Sequence, residues 1–107
     1  MLNYTGMNDL NLLQQQADKA AALLKTLSHP QRLLILCVLI GRPGTEAGEL
    51  SKMSGLSASA TSQHLARMKA EGLIEGVRHA RFIRYHIKNE AIFAVVQTLK
   101  NIYCPGE

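Results

Sequence analysis

Apolar residues recur at helical spacing in several stretches of this chain and alternate in one. Leu10, Leu13, Ala17, Ala20, Leu24 and Leu27 step by three and four, which predicts one stripe of a long amphipathic helix. Gln14, Gln15, Asp18, Lys19 and Lys25 fall on its other faces. His29-Pro30 breaks the pattern, because the residue before a proline avoids helical angles whereas proline itself suits a first helical turn. A second helix is predicted from Pro30 to Ile40, and its run Leu33 to Ile40 is apolar on every side, as a central core helix must be. Gly41-Arg42-Pro43-Gly44 ends it in a turn. Thr45 is expected to cap a short third helix with Ala47, Leu50 and Met53 inward and Glu46 and Glu49 near its positive end. Gly55 stops that helix, and Ser57 caps a fourth whose Thr61, Leu65 and Met68 form a buried stripe down to Gly72. Leu73 to Val77 and Arg81 to Lys88 then read as strands joined by Arg78-His79-Ala80. Asn89 caps a last helix carrying Ile92, Val95, Val96, Leu99, Ile102 and Tyr103 at helical spacing.

Helix, helix, short helix, turn, helix, basic hairpin, helix is the order of a winged helix-turn-helix: mainly α, with a small β-hairpin as the wing. The 107 residues suffice for one domain, expected over 9–104, with a flexible N-terminal tail over 1–8 and a C-terminal tail over 105–107. The longest apolar run has eight residues, far short of the roughly 20 needed to cross a membrane. The start MLNYTGMNDLNLLQQQ lacks the features of a secretory signal, so a cytoplasmic location is expected. Cys37 and Cys104 are then expected as free thiols rather than as a disulfide framework. Both terminal helices carry apolar stripes that one small core cannot bury, which predicts a homodimer formed through them.

Charge sharpens the picture. The formal net charge is +4, and Arg67 to Lys88 holds six basic residues against two acidic ones, which accounts for the whole excess. Such a localised basic face is the footprint of a polyanion partner, here double-stranded DNA. With Thr61, Leu65 and Met68 turned inward, the fourth helix presents Ser59, Ser62, Gln63, Ala66 and Ala70, a small, polar face free of acids. Small residues let a helix enter the major groove, hydroxyls bond phosphates or bases, and glutamine pairs bidentately with adenine. The candidate DNA contacts are Ser57, Ser59, Ser62, Gln63, His64 and Arg67, with Gln63 the first choice for base reading. Arg78 and Arg81 of the wing are candidates for phosphate or minor-groove contact. Arg84 lies farther from the tip and fits a snorkelling strand residue as well as a DNA contact. A two-fold dimer sets two reading helices about one DNA turn apart, so the operator is expected to be an imperfect palindrome. No Ser/His/Asp set, glycine-rich phosphate loop or metal cage suggests an enzyme.

The stretches LSHPQRLLILCVL and AGELSKMSGLSASATSQHLARMKAEGLI resemble the ArsR/SmtB family of bacterial repressors, and the likeness runs from about Ala17 to Cys104. The resemblance implies a dimeric repressor that leaves its operator when an inducer binds. Metal-sensing members use thiols on the third helix, where this chain has Gly48-Glu49-Leu50-Ser51-Lys52, or Asp, His and Glu along the last helix, where it has Ala91 to Gln97. No metal site is therefore expected. A thiol in the second helix and another just after the fifth resemble the sulfide- and persulfide-responsive subgroup, the BigR and SqrR type. That likeness implies Cys37 and Cys104 as a redox pair cross-linked by persulfides or polysulfides, with reactive sulfur species as inducer. Other readings stay open. Cys37 sits in an apolar run and fits simple packing, and Cys104-Pro105 fits thiolate ligation of haem in a protein otherwise expected to need no cofactor. A metal-responsive repressor and a sequence-indifferent architectural DNA binder share the same fold.

Overall fold

The computed structural model describes residues 7–106. Its elements are α1 (Met7–Leu27), α2 (Pro30–Gly41), β1 (Thr45–Glu46), α3 (Ala47–Ser54), α4 (Ala58–Ala70), β2 (Ile74–His79), β3 (Phe82–Ile87) and α5 (Glu90–Tyr103). The tail expected over 1–8 lies outside the described residues as far as residue 6, while Met7 and Asn8 open α1.

Capping follows the sequence closely. Ser57 Oγ accepts a hydrogen bond from the Ala60 amide at 3.0 Å, and Asn89 Oδ1 accepts one from the Ile92 amide at 3.0 Å. Each satisfies an N–H that the first turn of a helix leaves without a partner. Gly55 adopts φ 74°, the left-handed conformation that ends α3 and turns the chain into α4 within three residues.

Residues of α2 form the centre of the core: Ile35, Leu36 and Leu39 are buried, packed with Leu27, Leu50, Leu65, Met68, Ile74, Ile92 and Val96 from the surrounding elements. Thr61, Leu65 and Met68 are the buried stripe of α4, as their spacing predicts.

The sheet departs from the expected hairpin. It has three antiparallel strands in the order β1-β3-β2, because Thr45 and Glu46 pair with Tyr85 and Arg84. Thr45 is therefore not the cap of α3: its hydroxyl donates to the Arg42 carbonyl, and Glu46 occupies the cap position without a side-chain cap bond. A two-residue strand leaves no periodicity to read. The wing strands are also shifted, since β2 runs on to His79, paired with Phe82, and the turn contracts to Ala80-Arg81. Gly76 is demanded by close approach across this hairpin, where a Cβ would lie 2.7 Å from Ile83 Cγ2.

The terminal helices leave much of their apolar surface open. Leu10 and Leu24 on α1 are 45% and 59% exposed, and Ile102 and Tyr103 on α5 are 60% and 77% exposed. Of the predicted α1 stripe, Leu27 is buried in the core, and Leu23, outside that stripe, packs half-buried beside it where Leu24 does not. The radius of gyration is 16.3 Å, against about 13 Å for a compact chain of this length.

Ala80 holds φ 57° at the first position of a two-residue hairpin turn, a place that glycine fills without steric cost. Ala80→Gly should stabilise the domain by up to about 1 kcal/mol in chemical denaturation. A loss of stability would mean that the wing turn is not strained.

Candidate nucleic-acid interface and thiol clefts

The outward side of α4 carries the residues expected to read DNA. Ser59, Ser62 and Gln63 are exposed, as are Ala66 and Arg67, so the polar face is open over its length. Ser57 is exposed too, but its oxygen already serves as a cap, which leaves its hydroxyl hydrogen to donate elsewhere. His64 is half-buried on the flank of the helix. Arg67 turns towards the α1–α2 junction, where it lines a cleft with Lys25, His29 and Glu71.

At the wing tip, Arg78 and Arg81 are both exposed. The Arg81 guanidinium lies 5.4 Å from the centre of the Phe82 ring, a cation–π contact that holds it at the turn. Arg84 is placed differently: its stem runs close to Gly44, and it shares a polar cleft with Glu46 and Glu49. This arrangement favours the snorkelling role for Arg84 over a DNA contact.

Cys37 and Cys104, 67 positions apart in sequence, line the same two clefts between α2 and the end of α5. One cleft has a volume of about 290 Å³ and runs past Leu34, Val38 and Met53; the other, of about 410 Å³, runs past Leu33, Leu99 and Tyr103. Their walls are mostly aliphatic and sulfur-bearing. Cys37 is half-buried, whereas Cys104 is exposed at the C-terminal cap of α5. Burial pushes the Cys37 thiol above its usual pKa, the neighbouring Cys104 adds to the rise, and the Lys100 ammonium opposes it. Lys100 also lines both clefts, a neighbour that sequence spacing did not single out. Among the described residues no three Cys, His, Asp or Glu side chains converge, and no single helix is long and apolar enough to cross a membrane.

A second feature missed by sequence reasoning joins the helices. Arg32 of α2, only 6% exposed, reaches Glu71 through two parallel hydrogen bonds of 3.2 Å. Its guanidinium also donates to the Thr26 carbonyl at 3.0 Å. One side chain thus ties the last turn of α1, the core helix and the C-terminal cap of α4. The only advance signal was a charged residue beside an otherwise apolar run.

The profile of the bacterial regulatory protein family arsR matches residues 29–75, which span the core helix, the helix-turn-helix and the start of the wing. The HTH-type transcriptional regulator YgaV of Escherichia coli is 65% identical over 92% of this chain and 100% of its own length. The chain belongs to the ArsR family. Two solved structures extend the comparison to this fold. The transcriptional repressor BigR of Xylella fastidiosa superposes with a TM-score of 0.82 at 32% identity, covering 91% of this chain and 95% of its own. The regulator HlyU of Vibrio vulnificus does so with 0.85 at 36%, covering 90% and 99%. As an ArsR-family winged helix-turn-helix protein with neighbours of the YgaV and BigR kind, the chain is a DNA-binding transcriptional regulator, not an enzyme.

The Arg32–Glu71 pair gives this ArsR fold a measurable joint. Glu71→Gln leaves the buried guanidinium without a counter-charge and should cost about 2 kcal/mol in urea unfolding. Arg32→Met should cost less, because half-exposed Glu71 can turn to water. Equal stability of Glu71→Gln and wild type would show that the pair contributes nothing.

Proposed function

We propose that the protein is a dithiol-switched repressor: the reduced homodimer holds a palindromic operator, and a sulfur bridge between Cys37 and Cys104 lowers its affinity. The meeting of two sequence-distant thiols in shared clefts is the observation that carries this reading. The open apolar faces of α1 and α5 support the dimer, since pairing two chains removes that surface from water. Ser59, Ser62 and Gln63 supply the groove-facing side, Ser57, His64 and Arg67 contacts at its edges, and Arg78 and Arg81 the flanking contacts.

The bridge forms by ordinary thiol–disulfide exchange. Cys104, the exposed thiol, attacks an internal sulfur of a polysulfide chain as its thiolate. One sulfur–sulfur bond breaks, hydrosulfide leaves, and Cys104 keeps the rest of the chain. The Cys37 thiolate then attacks the sulfur next to Cys104 Sγ, and the remaining fragment leaves as hydrodisulfide. The two thiols have lost two electrons and two protons. The polysulfide has taken the electrons, and one sulfur atom remains between Cys37 and Cys104. That inserted atom relaxes the close approach a direct disulfide requires.

Cross-linking ties α5 to α2, and α2 carries Arg32, whose grip on Glu71 reaches the end of α4. Through this joint a strained α2 can reorient the reading helix. A hundredfold fall in operator affinity requires a difference of only about 2.7 kcal/mol between the two forms, within the usual range of allosteric coupling.

Two measurements check this reading. After polysulfide treatment, mass spectrometry should find one sulfur gained and two hydrogens lost per chain, in a peptide pair joining Cys37 to Cys104. Cys37→Ser and Cys104→Ser should each keep the operator when treated, and normal release by either variant would sink the switch. On the DNA side, Gln63→Ala should cost about 1–3 kcal/mol per half-site on the preferred operator and relax discrimination at one base pair in each half-site. Arg78→Ala, which removes one phosphate contact from each protomer, should weaken binding to all sequences alike and lower the salt slope of the dimer by about two. Uniform loss for Gln63→Ala would remove it from base reading.

A further inference from the structure

We propose that Lys100 is the positioning residue of the dithiol site, its ammonium favouring Cys37 as the nucleophile that closes the bridge. This rests on the reading of the two cysteines as a reactive pair. Lys100 and Cys104 stand one helical turn apart on α5, and the Cys104 amide donates to the Lys100 carbonyl at 2.8 Å. The lysine side chain crosses to α2: a Cβ built on Gly41 would lie 3.0 Å from Lys100 Nζ. Gly41, the last residue of α2, is in turn one helical turn beyond Cys37. The ammonium is thereby held at the negative, C-terminal end of α2, on the side that carries Cys37.

Surrounding charges make Lys100 the cation available to the thiols. The charged or titratable groups lining the two clefts are Arg42, Lys100, Tyr103, Cys37 and Cys104. Arg42 is drawn towards α3, with Glu49 at 3.6 Å and Met53 Sδ at 3.6 Å. Among the described residues, no carboxylate pairs with Lys100. The titratable groups of the other elements packed on α2, including Lys25, Glu71 and His86, line neither cleft. In apolar walls a nearby ammonium favours a thiolate over a thiol, and it attracts an anionic polysulfide as well. The direction of its effect on Cys37 agrees, opposing the rise that burial imposes.

The test is the pH dependence of alkylation by iodoacetamide, a neutral reagent, followed at each cysteine by peptide mass spectrometry in the full reduced protein. Lys100→Met should move the Cys37 profile to higher pH. For each pH unit of displacement, thiolate falls about tenfold at neutral pH while its intrinsic nucleophilicity rises, a net loss of about threefold in rate. Above the displaced midpoint the variant should equal or outrun wild type, and Lys100→Arg should restore the original profile. An unchanged profile, or an equal loss or gain of rate at every pH, would overturn the proposal. A displaced profile in a protein that polysulfide fails to bridge would support Lys100 and overturn only the sulfur-inducer reading.

Discussion

The structure depends on burying α2. Its twelve residues include an unbroken apolar run, and no arrangement of a single small domain leaves such a helix at the surface at tolerable cost. The end of α1, α3, β3 and α5 pack against it and bury Ile35, Leu36 and Leu39, while Leu34 stays 42% exposed along one thiol cleft. Because α2 cannot shift without disturbing Ile35, Leu36 and Leu39, whatever is attached to it moves as one body. Arg32, Cys37 and Gly41 are attached to it. They place the contact to the end of α4, a half-buried thiol and the seat of the Lys100 ammonium on one helix.

This arrangement explains how a small ArsR-family domain can separate recognition from response. DNA recognition needs an exposed α4 with small polar residues and a wing that carries positive charge past the helix. Response to a chemical signal needs groups that are reachable yet able to pull on the core. Cys104 is reachable at the end of α5, and Cys37 is half-buried in the helix that α1, α3, β3 and α5 pack against. In the proposed switch, a bond between them pulls on the core helix, and the Arg32–Glu71 contact is its route to the end of α4.

Most of the fold was legible in the sequence because its helices are amphipathic and capped by side chains with the right chemistry. Ser57 and Asn89 cap as their positions imply, and Thr61, Leu65 and Met68 point inward as their spacing requires. Strand β1 was not legible, since two residues carry no period and Thr45 suits a cap and a strand equally. The wing turn was misplaced for a related reason: exposed strand residues such as Arg78 and His79 look like loop until paired with Ile83 and Phe82. The site was legible in part. The thiols stood out by type, but their meeting is tertiary, and Lys100 gains meaning only because the helix α5 sets it one turn from Cys104 while its tip reaches Gly41. Arg32 was hidden by the apolar run beside it, and its partner Glu71 by the distance between them along the chain.

The central claim is that one covalent state of the protein holds DNA and the other does not. It is tested most directly by isolating the Cys37–Cys104 bridged dimer, titrating it against operator DNA at fixed salt, and repeating the titration after reduction with dithiothreitol. The bridged form should bind at least tenfold more weakly and recover full affinity on reduction. Equal affinity of the two forms would contradict the switch.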